Sequence, residues 1–254
     1  MAQEIIAVMR RYEVKYRLNK EQVAFIREKL LGHMEEDQYG LTTICSLYYD
    51  TPSLQLIRRS VEKPLFKEKI RLRSYGVAKP GSTLFLEMKR KHEGIVYKRR
   101  VATKKEQVEG FFARGEELGG TQISAELQQF RKSHEGLAPR FFIAYDRVAY
   151  FEKDGDLRVT LDLNPRYRTY DLDLSSSSEG ASLLGEGEAI LEVKAQHAIP
   201  LWLSAILSEG KIYPTSFSKV GTAYQREMAV PHILPGHAKA NANYKGGNAY
   251  GLAV

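Results

Sequence analysis

The sequence predicts an α+β fold built on an antiparallel sheet of about eight strands. Several segments alternate charged and apolar residues with the period of two that is typical of strands. Turn signals such as Asp154-Gly155 join neighbouring strands as hairpins. Amphipathic helices are interspersed among these hairpins, as in antiparallel α+β domains. Eight strands is also the number that can close into a small barrel with a ligand-sized interior.

The first half of the chain opens with an alternating strand over 11–18. Asn19 can cap a helix over 20–31, which carries Val23, Ile26 and Leu30 on one face. Residues 43–49 (TICSLYY) predict a strand, and the turn that begins at Asp50 leads into a short helix ending at 59. Further strands are predicted over 66–75, 82–91 and 94–102.

The second half continues with helices over 104–114 and 121–134. A long strand over 140–151 and a strand over 156–163 follow, and together they form a hairpin. The serine-rich segment 175–187 is predicted to be a mobile polar loop. A strand over 188–196, a helix after Pro200 and a helix over 217–227 complete the pattern.

Length and composition limit the architecture. The 254 residues, 43% of them hydrophobic, can form one large β-rich domain or two small ones, and no domain-splitting linker is visible. We therefore predict one domain over 1–230. The tail over 231–254 lacks periodicity and is predicted to be disordered.

Charge and cysteine content favour an anionic partner and a reducing compartment. The formal net charge is +7 and the pI is about 9.3, which suits nucleic acid, a membrane surface or a phosphorylated metabolite. Cys45 is the sole cysteine, so no disulfide can form within the chain. No apolar run approaches the roughly 20 residues of a membrane span, and the N-terminus lacks a signal-peptide layout. A cytoplasmic location is expected.

Five strand segments place charged residues, mostly cations, on one face. Such alternation usually marks a solvated sheet face. Here, however, the runs are rich in arginine, which suits bidentate phosphate contacts, and the helices could cover the apolar faces from outside. The charged faces would then line an interior. The residues concerned are Arg11, Glu13, Lys15, Arg17, Lys67, Lys69, Arg71, Arg73, Glu87, Lys89, Lys91, Arg158, Thr160, Asp162, Glu192 and Lys194.

Other positions carry weaker signals. Lys98 and Arg100 share one side of their strand, and Arg99 takes the other. Arg147 lies among apolar strand residues, so it must pair with an acid or face a polar lumen. Glu87 and Glu192 each stand beside a lysine, as surface ion pairs do, but such carboxylates could also hold Mg²⁺ or Mn²⁺ together with phosphate oxygens.

Several chemistries find no support. The sequence has no phosphate-binding GxxxxGK[ST] loop, no dinucleotide-binding glycine fingerprint, no zinc-ligand spacing and no nucleophile elbow. Nucleic acid is disfavoured because the strand aromatics mainly fall opposite the charges.

The order of nine short segments resembles the VTC domain, the polyphosphate polymerase domain of the vacuolar transporter chaperone complex. That domain belongs to the CYTH, or triphosphate tunnel, superfamily. The similarity runs from about residue 10 to 228. The segments are RYEVKYRL, SLYYDTPSL, IRLRSYG, LEMKRK, YKRRV, AYDRVAY, LRVTLDLN, LEVK and FSKVG.

The resemblance implies an eight-stranded antiparallel barrel with helices packed outside. Its basic tunnel would bind ATP, polyphosphate and Mn²⁺ or Mg²⁺, and transfer the γ-phosphate of ATP onto the chain. Together, resemblance and alternation assign catalytic roles to Arg71, Arg73, Lys89, Arg147 and Lys219; substrate binding to Lys15, Arg17, Lys69, Lys98, Arg100, Arg158 and Lys194; and metal binding to Glu192, with Glu13 and Glu87 as further candidates.

The chain departs from the family pattern in two ways. The superfamily's ExExK signature reads Arg11-Tyr12-Glu13-Val14-Lys15, with arginine in place of its first acid. Because hydrolytic members use those acids, this change favours the polymerase. The chain also lacks the SPX domain and membrane helices of the eukaryotic complex and resembles bacterial stand-alone members, so a membrane partner protein would have to supply any coupling to translocation.

Two alternative functions stay open from the sequence. One is a tunnel triphosphatase acting on inorganic or organic triphosphates, and the other is a non-catalytic polyphosphate-binding module. The sequence does not fix the preferred metal, the chain length or the oligomeric state.

Overall fold

An antiparallel sheet and six helices make up the part of the chain that the computed structural model describes, which is residues 12–229 except 63, 94 and 197. Arg11 and the predicted tail lie outside these residues. The helices are α1 (Lys20–Leu31), α2 (Gln55–Val61), α3 (Lys105–Arg114), α4 (Gln122–Lys132), α5 (Leu201–Glu209) and α6 (Lys219–Ala229).

The sheet has eleven strands. They are β1 (Tyr12–Leu18), β2 (Glu35–Glu36), β3 (Thr42–Asp50), β4 (Phe66–Tyr75), β5 (Leu84–His92), β6 (Ile95–Thr103), β7 (Ala138–Phe151), β8 (Arg158–Arg168), β9 (Ala181–Ser182), β10 (Ala189–Ala195) and β11 (Pro214–Thr215). Their order is β11-β1-β10-β8-β7-β3-β4-β5-β6, with β2 on β7 and β9 on β8.

The predicted closed barrel of eight strands is wrong. The sheet ends at β6 and β11, and these edge strands do not pair with each other in the described residues. The eight predicted strands correspond to β1, β3–β8 and β10. The three additional strands have two residues each, which is too short for an alternating pattern to be visible in the sequence.

The open sheet is strongly curled. Six strand-to-strand steps separate β1 from β5, which would place them about 29 Å apart in a flat sheet. Instead, the Lys89 ammonium on β5 lies 3.4 Å from the Glu13 carboxylate on β1. The sheet therefore has a concave face, across which side chains of distant strands meet.

Helices cover the convex face, where the apolar residues of the alternating strands point. Beside β1, β10 and β8, helices α1 and α5 pack through Ile26 and Leu203. Beside β4 and β5, helices α3 and α4 pack through Phe111 and Phe130 onto residues such as Met88. The expectation that helices cover the apolar faces is confirmed.

A third apolar cluster covers one end of the concave face. Helices α2 and α6 contribute Ile57 and Val220, which pack against Tyr48, Ile143 and Tyr145. The remaining concave surface is occupied by charged side chains.

Local signals explain where two of the helices begin. Asn19 Oδ1 accepts a hydrogen bond from the Gln22 amide at 2.8 Å, so the predicted cap of α1 is confirmed. At α2, the buried Asp50 carboxylate accepts hydrogen bonds from the backbone amides of Thr51, Leu56 and Ile57. It thereby satisfies amides that the start of the helix leaves without partners.

The serine-rich segment 175–187 is held in place, contrary to the prediction of a mobile loop. The buried Arg168 guanidinium donates hydrogen bonds to the carbonyl oxygens of Ser177 and Glu179 and to the Ser176 hydroxyl. Leu183 and Leu184 at its end are buried. The composition of the segment could not predict these hydrogen bonds, because their donor is an arginine on β8.

None of the helices in the described ranges combines the length and the apolar surface that crossing a lipid bilayer requires. The predicted domain boundary near residue 230 stays a prediction.

We expect Asp50→Ala to lower the free energy of unfolding by about 3 kcal/mol, because it leaves buried backbone amides without an acceptor. Asp50→Asn should lose less. Glu28→Ala, which removes an exposed carboxylate of α1, serves as the control and should change stability by no more than about 0.5 kcal/mol. Urea denaturation measures all three. Equal stability of Asp50→Ala and wild type would exclude this role for Asp50.

Candidate functional site

Charged side chains from most of the long strands meet on the concave face. Strand register places Tyr48, Arg71, Glu87 and Arg100 in one row across β3 to β6. Rows of this kind put the alternating charges of neighbouring strands side by side, because opposite residues of antiparallel strands share a face. Three clusters result, each centred on a buried carboxylate.

The Glu87 cluster gathers four cations around one carboxylate that is 2% exposed. Arg71 Nε donates to Glu87 Oε2 at 2.8 Å, and Lys98 Nζ lies 3.0 Å from Oε1. The Nε atoms of Arg73 and Arg100 lie 3.7 and 3.5 Å from the same carboxylate. One negative charge thus holds four positive side chains, and the cluster carries a net positive charge.

The pKa of Glu87 reflects this surplus. Burial alone would raise it, but the charges of Arg71, Arg73 and Lys98 hold the pKa well below its usual range. A carboxylate that is so strongly stabilised in its charged form is a weak base. Its surroundings also fit an anchor for cations better than a metal ligand.

Lys69 and Tyr48 lie beside this cluster and have unusual acidities. Burial, with the nearby charges of Lys15, Lys67 and Lys89, lowers the pKa of Lys69 to about 8 even though Tyr48 opposes the shift. Burial would raise the pKa of Tyr48, but the cations led by Arg71 lower it to about 8. The Lys69 ammonium donates to the Ser218 hydroxyl at 3.0 Å.

The Glu192 cluster lies across the concave face on β1 and β10. Lys15 Nζ lies 3.8 Å from Glu192 Oε2 and 3.5 Å from Glu13 Oε1, and Lys194 pairs with Glu192 Oε1. Burial would raise the pKa of Glu192, but Lys194, Lys15 and Arg147 hold it well below its usual range. The contact between Lys89 and Glu13 links this cluster to β5.

The Asp162 cluster lies between the other two. Arg147 binds the buried Asp162 carboxylate through Nε at 2.6 Å and NH2 at 2.9 Å, and Lys219 at the start of α6 pairs with the same group. Lys219 Nζ also lies 4.2 Å from the centre of the Tyr145 ring. Because Ser218 contacts Lys69, the start of α6 joins the Asp162 and Glu87 clusters.

The structure brings most of the predicted site residues together and leaves two apart. Arg17 is exposed at the rim and pairs with Glu188 at 2.7 Å. Arg158 is also exposed, and its guanidinium donates to the Leu157 carbonyl at 3.1 Å. The residues that meet are Glu13, Lys15, Lys69, Arg71, Arg73, Glu87, Lys89, Lys98, Arg100, Arg147, Glu192, Lys194 and Lys219.

Sequence reasoning assigned no role to several groups that shape the site. Asp162 was placed on the charged face, but its position opposite Arg147 depends on the register of β7 and β8. Tyr48 and Tyr145 appeared apolar, although their hydroxyls accept hydrogen bonds from Arg71 and Arg73. The one signal for Tyr145 was its spacing: it lies two residues from Arg147 on the same strand, so both side chains point to the same face.

A metal ion on the concave face would have to be held by a small set of protein oxygens. The described residues contain no group of three or more histidine, cysteine or acidic side chains that could hold an ion alone. Glu13 and Glu192 approach the same lysine, and the neighbouring Thr160 has a buried hydroxyl oxygen without a hydrogen-bond partner. These donors fit Mg²⁺ or Mn²⁺ if phosphate oxygens complete the shell.

A separate cavity of about 390 Å³ involves the hairpin of β5 and β6 and helix α4. Phe66, His92 and Tyr97 line it, together with Arg90 and Arg99. Glu68 and Glu126 pair with these two arginines, so the cavity offers less positive charge than the concave face.

Comparisons with solved structures identify the fold. A candidate adenylate cyclase from Bacillus halodurans superposes with a TM-score of 0.53 at 13% identity, covering 81% of this chain and 92% of that one. A candidate adenylyl cyclase from Hippeastrum, described as having a dominant triphosphatase activity, gives 0.52 at 16% identity, covering 88% and 97%. These identities show a shared fold only.

Sequence comparison identifies the family. No curated protein shows significant sequence similarity to the chain. The model of one protein family, described as the VTC domain, matches residues 10–228 and thus most of the chain. The protein belongs to the VTC domain family.

Proposed function

We propose that the protein is a polyphosphate polymerase that transfers the γ-phosphate of ATP onto a polyphosphate chain on the concave face. The observation that carries the proposal is the surplus of cations over carboxylates there. Arg71, Arg73, Lys98 and Arg100 share Glu87, and Lys69 has a serine as its hydrogen-bond partner. Membership of the VTC domain family supports the same conclusion.

The arrangement suits a linear polyanion. Lys69, Lys89 and Lys98 form a second cross-strand row beside the row that contains Arg71. Lys15 lies on β1, which faces this row across the concave face. Cations on both sides of the concave face can contact successive phosphates of one chain. The arginines can hold phosphate oxygens bidentately.

The site is better suited to phosphoryl transfer between phosphates than to hydrolysis. Phosphoryl transfer depends mainly on positioning and on compensation of charge at the phosphoryl oxygens. Glu13, Glu87, Asp162 and Glu192 are all paired with cations, and the pKa of each is lowered, so each is a weak base for activating water. A terminal phosphate needs no deprotonation to act as the acceptor.

Glu192, with Glu13, would hold a Mn²⁺ or Mg²⁺ ion that enters with the phosphates. When bound, such an ion neutralises charge on the phosphate oxygens and orients them. In this proposal Arg71 and Arg73 hold the transferring phosphoryl group. Arg147 and Lys219, positioned by Asp162, contact the neighbouring phosphates.

A tunnel triphosphatase is the alternative, and the activity described for the Hippeastrum protein of the same fold favours it. The third possibility, a binding module without activity, requires that bound ATP transfers its γ-phosphate neither to polyphosphate nor to water. ATP and polyphosphate as ligands, the absence of a nucleic-acid partner and a cytoplasmic location all stay predictions.

Resolution of the products of γ-labelled ATP tests the proposal. The protein is incubated with labelled ATP, a short polyphosphate primer and Mn²⁺ or Mg²⁺. Label in chains longer than the primer supports the polymerase. Label in orthophosphate alone identifies a triphosphatase, and unreacted ATP together with bound polyphosphate identifies a binding module.

We expect Arg71→Gln to lower turnover with ATP by about a hundredfold, because a preorganised donor to the phosphoryl oxygens is lost. Arg99→Gln is the matched control, since Arg99 points to the convex side and pairs with Glu126 at 2.8 Å. Circular dichroism checks that both variants fold. Equal turnover of Arg71→Gln and Arg99→Gln would remove Arg71 from the site.

Glu192→Gln should raise the Mn²⁺ concentration needed for half-maximal activity about tenfold or more. Tripolyphosphate binding without metal should be retained or become tighter, because one negative charge leaves a polyanion site. Calorimetric titration measures the second effect. Unchanged activity at limiting Mn²⁺ would transfer the metal role to Glu13.

Lys69→Met should stabilise the ligand-free protein at pH 7 by about 2 kcal/mol, because it removes a charge whose pKa is lowered to about 8 by burial and neighbouring cations. The advantage is full below pH 8 and shrinks as pH rises towards the ordinary lysine pKa, since the native state then loses the proton first. Tripolyphosphate binding should weaken. Lys132→Met on α4 is the exposed control, and an unchanged stability gap between pH 7 and 10 would contradict the account.

A further inference from the structure

Thr160 presents a buried hydroxyl without a hydrogen-bond partner at the centre of β8. The residue is 9% exposed, and no atom in the described part of the chain accepts from or donates to its Oγ1. Its register partners are Glu192 on β10 and Ala149 on β7. The hydroxyl therefore shares the concave face with Glu192, next to the Glu192 cluster.

The fold alone does not account for this hydroxyl. A buried hydroxyl without a partner destabilises a protein by about 1–3 kcal/mol, and few native groups are left in this state. Valine has the same shape, a high strand propensity and no polar atom to desolvate. Ala149 offers no polar side chain, and the two Glu192 oxygens face Lys194 and Lys15.

We propose that Thr160 Oγ1 is an additional protein oxygen for the divalent cation that Glu192 would hold, an inference that rests on the proposed function. Residues directly opposite on antiparallel strands have Cβ atoms about 5 Å apart, so both side chains can reach one ion. Hard cations accept hydroxyl and carboxylate oxygens together, as in phosphate-binding loops where a serine or threonine contacts Mg²⁺.

Lys15 and Lys194 pair with Glu192 in the ligand-free protein, where the proposed cation would otherwise neutralise it. Their ammonium groups neutralise Glu192, and both lie on the face where a phosphate chain would attract them. When phosphates bind these lysines, Glu192 and Thr160 are left as neighbouring oxygens without a cation. Entry of the metal together with the phosphates follows from this exchange.

The test compares wild type, Thr160→Val and Thr160→Ser. Mn²⁺ binding is measured by electron paramagnetic resonance of the free ion in the presence of a β,γ-imido analogue of ATP, which cannot transfer its phosphate. We expect Thr160→Val to weaken Mn²⁺ binding about tenfold and Thr160→Ser to stay within about twofold of wild type. Without ligands, Thr160→Val should unfold at the same temperature as wild type or a few degrees higher.

Four results would overturn the inference. Equal Mn²⁺ affinity of wild type and Thr160→Val would exclude Thr160 as a ligand. Equal losses in the valine and serine variants would show that packing is responsible. A loss of tripolyphosphate affinity without metal, confined to Thr160→Val, would assign the hydroxyl to phosphate. If wild type bound the analogue but no Mn²⁺, the metal role in the proposed function would fail as well, which separates the two claims.

Discussion

The ion pairs around the buried carboxylates of the concave face are the interaction on which the site depends. A buried carboxylate is costly unless it is paired, and each buried carboxylate here contacts two or more cations, with Glu87 contacting four. The pairing keeps arginine and lysine side chains ordered and leaves a positive surplus. A phosphate chain can then bind to cations that are already in place, with little loss of side-chain entropy.

The rest of the fold maintains this arrangement. Helices on the convex face bury the apolar side of the strands, so the charged side can face inward. Helices α2 and α6 cover one end of the concave face and bring Ser218 and Lys219 to the clusters. Asp50, at the end of β3, accepts hydrogen bonds from the first turn of α2 and so attaches this helix to the sheet. Stability and site geometry therefore share several residues.

At Thr160 and Lys69, in contrast, the residue that suits the proposed function lowers the stability of the ligand-free protein. Each places a polar or charged group where the ligand-free protein gains nothing from it, because Thr160 lacks a partner and Lys69 is surrounded by like charges. Natural proteins retain such groups where binding uses them. The proposed phosphate and metal ligands would give both groups a role that the fold does not.

Strand signals in the sequence were sufficient to predict the eight long strands, and alternation within five of them placed most residues of the concave face. It works because parity along a strand fixes the face of each side chain. It could not predict that Arg17 lies at the rim, or that Asp162 meets Arg147, since these depend on register and curvature. It also gave no sign that the sheet stays open, because strand number alone does not determine closure.

A crystal structure with bound tripolyphosphate tests the central claim most directly, which is that the concave face is the binding site for a phosphate chain. The account predicts a chain that contacts Arg71 and Lys69 on β4 and, across the concave face, Lys15 on β1, with Glu87 still paired to its arginines. Phosphates bound only on the convex side, or only at the rim near Arg17, would contradict it.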